Sequence, residues 1–219
     1  MGGREYPETV ADPFVLVFVP GVTPGKWVGV WKDRMAAVPL EATQATPDAA
    51  IAALHDASAD VALVRLPVDG TGLSLIPLYS ERAVVVVPKD HVLEAFETVT
   101  VADLADENML AGQDAGTVEL VSAGLGIAMM PQSVARALSR RDVVARIVTD
   151  APETRVALGW LDGNPDPLIQ EFVGIVRGRT ANSSRGEQAA PAAAPPKSAA
   201  PARTSRKKPL PPKTRHRRR

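Results

Sequence analysis

The chain has 219 residues, 45% of them hydrophobic, and its 25 Lys and Arg balance 25 Asp and Glu. That length allows one or two domains with a sizeable core. Cysteine is absent, which excludes a disulfide framework, thiolate chemistry and a cysteine-type metal site in these residues.

The zero net charge hides an asymmetry. From Thr180 to Arg219 there are 11 Lys and Arg and one acid, Glu187, so this stretch carries +10 and the first 179 residues carry −10. An acidic body joined to a basic tail is the pattern of an interaction arm. The opening residues Met1 to Tyr6 lack the apolar segment of a secretory signal. No apolar run approaches the ~18 residues of a spanning helix. The expected location is the cytoplasm.

Phe14 to Val19 is a continuous apolar run, as in a strand buried on both faces. Pro20-Gly21-Val22 breaks it. Thr23 can cap a helix with Pro24 at its first position. Trp27, Val28, Trp31 and Met35 recur at helical spacing, and the two tryptophans read as packing. Val38 to Ala45 alternates as a strand. Thr46, Pro47 and Asp48 then repeat the helix-start pattern, and Ala50, Ile51, Leu54 and Ala57 give that helix its buried face. Ala59 to Val64 is a third strand, ending at Arg65-Leu66-Pro67. The order β-α-β-α-β calls for a parallel sheet with right-handed crossovers.

Leu73 to Tyr79 is expected to be extended, and Ala83 to Val87 is an all-apolar strand closed by Pro88. Val101 to Ala105 predicts a short helix, and Asn108 to Ala111 a strand. A short helix over Thr117 to Ala123 ends at Gly124, a residue suited to a C-terminal cap. Leu125 to Met130 is expected as a buried strand, with Pro131 to Leu138 as the next helix. Val143 to Val148 and Val156 to Leu161 are strands. After Asp166 and Pro167, a helix carries Leu168, Ile169, Phe172, Val173 and Val176 on one face.

The most specific chemical feature is the Thr-Pro pair after two successive strands, Thr23-Pro24 and Thr46-Pro47. In a parallel sheet both helix starts lie at the carboxyl edge, where open α/β sheets bind ligands. Each start offers unpaired backbone N–H groups and partial positive charge. Arg65 emerges at the same edge. Three anion-favouring elements are therefore expected to face one crevice and hold a small carboxylate-like ligand. Other motifs fail on inspection. Gly21 to Trp27 is one residue short of a phosphate loop, and Gly124-Leu125-Gly126 lacks the third glycine of a dinucleotide fingerprint. There is no nucleophile elbow, and His55, His91 and His216 form no cluster with metal-ligand spacing. No catalytic residue, metal or cofactor is expected.

These pieces resemble the effector-binding domain of LysR-type transcriptional regulators. The resemblance rests on the first strand running into Val22-Thr23-Pro24, on Ala59 to Pro67, on Pro88 to Leu93, and on Val121 to Pro131. It implies an α/β fold of the type 2 periplasmic-binding-protein kind: two subdomains, two crossover strands and ligand in the cleft. Subdomain I would comprise about 14–80 and 154–179, subdomain II about 81–150, within a domain spanning 13–179 after an extension of 1–12. The resemblance places ligand contacts at Val22, Thr23, Pro24, Thr46, Arg65 and Pro67, with Gln113 on the second subdomain. The family's N-terminal winged helix-turn-helix is expected to be missing. Subdomain II is also short between Leu110 and the helix before Gly124, so its sheet is expected to lack a strand.

Residues 180–219 are dominated by Ala, Pro, Ser, Lys and Arg, which predicts a disordered tail. Arg203, Arg206, Lys207, Lys208, Lys213, Arg215, Arg217, Arg218 and Arg219 would suit a phosphate backbone read without sequence preference. The sequence therefore points to a non-enzymatic effector-binding protein in transcription regulation whose tail contacts nucleic acid. The alternative is a protein-association module, a homodimer or a partner of full-length LysR-type regulators, with a degenerate pocket.

Overall fold

Phe14–Phe18 forms strand β1, with Phe14, Leu16 and Val17 buried and Val15 and Phe18 partly buried in the first lobe's core. The structure is a computed structural model and describes residues 12–178. Helix α1 (Gly25–Arg34), β2 (Leu40–Gln44), α2 (Pro47–His55) and β3 (Val61–Leu66) follow in the expected alternation. β2 and β3 pair parallel to β1 on either side. β4 (Leu73–Glu81) and β9 (Thr154–Leu161) complete a five-stranded sheet in the order β2-β1-β3-β9-β4. These last two run antiparallel to their neighbours. They are the strands by which the chain leaves this lobe and returns, so no crossover helix sets their direction. Pro77 sits in β4, the sheet's outermost strand, where a missing N–H costs no ladder bond.

The second lobe is built on β5 (Ala83–Pro88), β6 (Thr98–Val99), β7 (Ala128–Pro131) and β8 (Val143–Val148), in the order β6-β8-β5-β7. Helices α3 (Ala115–Ser122) and α4 (Gln132–Ala137) cover one face. The strand expected over Asn108 to Ala111 reduces to a single bridge between Met109 and Ile127. The expected helix at Val101 to Ala105 is a 3-10 turn of three residues, Ala102–Leu104. The Asp103 carboxylate accepts from the Thr100 N–H at 2.7 Å and holds that turn tight.

Two other expectations need correction. Thr23 does not cap α1. Pro24 occupies the cap position in a helical conformation, with no side-chain hydrogen bond, and its carbonyl accepts from both Trp27 and Val28. The tight turn at Gly21 and the burial of Val22 place the helix start one residue beyond Thr23's reach. The buried strand does not begin at Leu125. Gly124 takes φ +74°, its N–H reaches Val121, and the Leu125 N–H reaches back to Leu120. That is a Schellman closure, so Leu125 ends the helix and stays 55% exposed. By contrast Thr46 caps α2 as expected, accepting from the Ala49 N–H, with Pro47 at the first helical position.

The first lobe's core is organised by an aromatic cluster. Trp31 of α1 stacks on Phe14 of β1 at 4.5 Å and meets Phe172 of α5 (Pro167–Val176) at 5.8 Å. All three rings are essentially inaccessible to water. The Trp31 indole N–H donates to the Val38 carbonyl at 2.9 Å, so its polar edge is satisfied while the ring is buried. The packing role read for the tryptophans thus falls mainly on Trp31, with Trp27 half-buried at the margin. No helix among the described residues is long and apolar enough to cross a membrane.

Candidate functional site

The chain passes between the two sheets twice, at Arg82 between β4 and β5 and over residues 149–153 between β8 and β9. Polar side chains gather at these passages. In the sheet ladders Arg65 lies opposite Val156, Tyr79 opposite Val156, and Glu81 opposite Thr154. Paired and alternate residues share a face, so Arg65, Tyr79, Glu81 and Thr154 all project from one side of the sheet.

Arg65 is held on several sides. Its Nε donates to Glu81 Oε2 at 2.9 Å, and one terminal nitrogen approaches the same oxygen at 2.8 Å. Both terminal nitrogens donate to the Pro20 carbonyl at 3.3 Å, and one also donates to Ser133 Oγ at 3.2 Å. Ser133 belongs to α4, so this guanidinium joins the two lobes. The Arg65 and Glu81 side chains are only 12% and 7% exposed. Charges buried to this extent are stable only when paired, which is why Glu81 is there. Tyr79 is 40% exposed, yet partial burial, and after it the Glu81 carboxylate, push its phenol above its ordinary pKa.

The lobes touch again at Gly21. It has φ +84°, and a Cβ there would lie 2.6 Å from Ser133 Oγ and 2.8 Å from the Val134 amide nitrogen. Only glycine permits both that backbone conformation and that approach.

The residues expected to bind ligand do not all line one cavity. Val22 and Pro24 are buried, Val22 within the first lobe's core. Thr23 and Thr46 are exposed, and the Thr46 hydroxyl oxygen is engaged by Ala49. Arg65 and Pro67 border a groove of about 520 Å3 beside α2, shared with Asp48, Ile51, His55 and Asp69. Gln113 borders a separate cavity of about 170 Å3 with Ala83, Met130, Pro131 and Thr154. Neither is lined by Val22, Thr23, Pro24 or Thr46. Three features of the structure bear on the expected convergence of anion-favouring elements. Arg65 is neutralised by Glu81, Thr23 caps nothing, and Asp48 and Asp69 add negative charge to the groove. The nine basic residues from Arg203 to Arg219 lie outside the described residues.

Sequence reasoning missed Glu81, Ser133 and Thr154. Thr154 Oγ1 is buried without a hydrogen-bond partner and lies in the residue that lines the 170 Å3 cavity. For Ser133 a signal existed: it follows Pro131 at a strand-to-helix junction, as Thr23 and Thr46 follow their strands. For Glu81 there was none, because an acid at a strand end usually faces solvent. Among the described residues no group of three His, Asp or Glu side chains could hold a metal ion.

A family model of the LysR substrate binding domain matches residues 25–117 and 109–181. The chain belongs to this family. Among curated relatives, the probable hydrogen peroxide-inducible genes activator of Mycobacterium avium is 25% identical over 190 residues, covering 72% of this chain and 61% of that protein. The Hca operon transcriptional activator HcaR of Escherichia coli is 26% identical over 153 residues, covering 56% of this chain and 52% of that one. The chain thus spans about half to three-fifths of the length of these LysR-type relatives. Among solved structures, the BenM effector binding domain with its effector benzoate aligns with TM-score 0.67 at 17% identity, covering 82% of this chain and 96% of that one. A hydrogen peroxide-bound mutant of Corynebacterium glutamicum OxyR aligns with TM-score 0.64 at 19% identity, covering 78% and 68%. These structures share the fold, so this LysR domain has the two-lobed α/β architecture of type 2 periplasmic binding proteins.

Proposed function

We propose that this LysR substrate-binding domain is the non-enzymatic, effector-sensing part of a cytoplasmic transcriptional regulator. A small organic effector binds between the lobes and changes how they close about the two crossing strands. The observation that carries this reading is the collection of polar groups at the crossings. Arg65, Glu81 and Ser133 form one cluster there, and the unpartnered Thr154 hydroxyl with Gln113 forms the other. A lobe junction that places an unsatisfied hydroxyl beside a cavity is built to receive a polar ligand.

A carboxylate-like effector, the class first expected, depended on an available Arg65, and that side chain is paired. The effector class is therefore widened to small polar molecules, and the test compares acids with their neutral counterparts. Benzoate, the effector in the BenM structure, and shikimate, the ligand in a QuiR effector-domain structure of the same fold, support including acids. Several relatives are named as peroxide-inducible activators, but a thiol-based response is not open to these 219 residues, which contain no cysteine.

Thermal unfolding of the full chain is measured with benzoate, benzamide, shikimate and methyl shikimate. A melting temperature that rises with the logarithm of one ligand's concentration supports the proposal. A flat response to the whole panel, alongside a stable dimer by sedimentation, favours the alternative of a protein-association module. The proposed nucleic-acid contact of the tail is tested by gel shifts at rising salt, with and without residues 180–219. Binding that disappears with the tail and weakens steeply with salt supports it.

A further inference from the structure

A buried guanidinium beside a helix-borne hydroxyl at the junction of two lobes is a site with the chemistry of carboxylate capture. Arg65 and Ser133 supply those two groups here. The carboxylate that Arg65 holds comes from the protein itself. Glu81 Oε2 accepts from the Arg65 Nε at 2.9 Å and lies 2.8 Å from a terminal nitrogen of the same guanidinium, in a pocket that leaves its own side chain 7% exposed. Glu81 is the last residue of β4, immediately before the first crossing between lobes. Its position is fixed by the ladder, opposite Thr154, so it reaches Arg65 without any movement of the second lobe.

We propose that Glu81 is a resident carboxylate, occupying at Arg65 the place that the acid group of a ligand would otherwise take. Two consequences follow for this chain. Arg65 does not select an anionic effector, because binding one there would either expel Glu81 or set two carboxylates side by side. The contact from Arg65 to Ser133 also persists without a ligand, because the charge that organises it is internal. The inference concerns the resting molecule and stands whether or not an effector binds elsewhere at the junction.

The experiment is chemical rescue. Glu81→Ala removes a carboxymethyl group the size of acetate and leaves Arg65 without its counter-ion. The expected result is a lowered melting temperature that recovers as sodium acetate is raised, at constant ionic strength set with sodium chloride. The wild-type chain should show no response, and Arg65→Met/Glu81→Ala should show no recovery. Should Glu81→Ala fail to fold, Glu81→Ser leaves the same space beside a small polar side chain. Acetate binding followed by NMR titration should then be at least tenfold tighter to Glu81→Ser than to wild type. Equal acetate binding by wild type and variant overturns the proposal. So does recovery that survives loss of Arg65, and so does a folded Glu81 variant that acetate leaves unchanged.

Discussion

Replacing Gly21 by alanine tests the contact between the lobes most directly. The added Cβ would sit 2.6 Å from Ser133 Oγ and 2.8 Å from the Val134 amide nitrogen, at a backbone φ of +84°. The Ser133 hydroxyl can rotate away, but the Val134 nitrogen is backbone and cannot. Holding alanine at positive φ costs about 1–3 kcal/mol. Relieving the overlap means separating the β1–α1 turn from α4, which gives up the Arg65–Ser133 hydrogen bond, worth about 1.5–3 kcal/mol to a charged donor. The sum is about 2.5–6 kcal/mol, a fall in melting temperature of roughly 5–24 °C for a domain of this size. Urea unfolding of Gly21→Ala measures the loss at the midpoint. Gly21→Ala/Ser133→Ala separates the causes, because it removes the movable atom and leaves the immovable one. A Gly21→Ala chain within 1 kcal/mol of wild type would refute the reasoning, as would a double variant with stability fully restored.

Other consequences follow from the same geometry. Trp31→Ala empties the centre of the Phe14–Trp31–Phe172 cluster and leaves the Val38 carbonyl without its donor, so unfolding experiments should show a loss of about 3–5 kcal/mol. The two threonines should separate cleanly: Thr46→Ala should cost about 1 kcal/mol through loss of the α2 cap, while Thr23→Ala should stay within about 0.5 kcal/mol of wild type. Asp114 caps α3, and the hydrogen bonds from the Thr117 N–H and then its hydroxyl hold the carboxyl below its ordinary pKa of 3.8. A depressed carboxylate contributes stability above its unfolded pKa and loses it as pH falls through the folded value. NMR titration of the Asp114 carboxyl should therefore show a midpoint below 3.8, and a midpoint at or above it contradicts the cap.

Much of this architecture was legible from local pattern. The apolar runs of β1, β3 and β5 pointed to a covered sheet, and Thr46-Pro47 marked a helix start by hydrogen-bonding rules that need no tertiary partner. Gly124 marked a helix end for the same reason. Local signals failed where two good patterns competed. Leu125 reads as strand by hydrophobicity, but the Schellman closure after Gly124 claimed it. Thr23-Pro24 reads like Thr46-Pro47, but the turn at Gly21 moved the helix start along.

The candidate site divides in the same way. The sequence by itself determined that Arg65 would leave β3 at the carboxyl edge of the parallel strands, because strand order and length set that place. Only the tertiary structure decided what Arg65 does there. Glu81 is 16 residues away and Ser133 is 68, and both reach it through strand pairing and lobe packing that no local pattern encodes. A buried charge takes whichever counter-charge the fold brings within about 3 Å. That choice depends on distance in space, and separation along the chain carries almost no information about it.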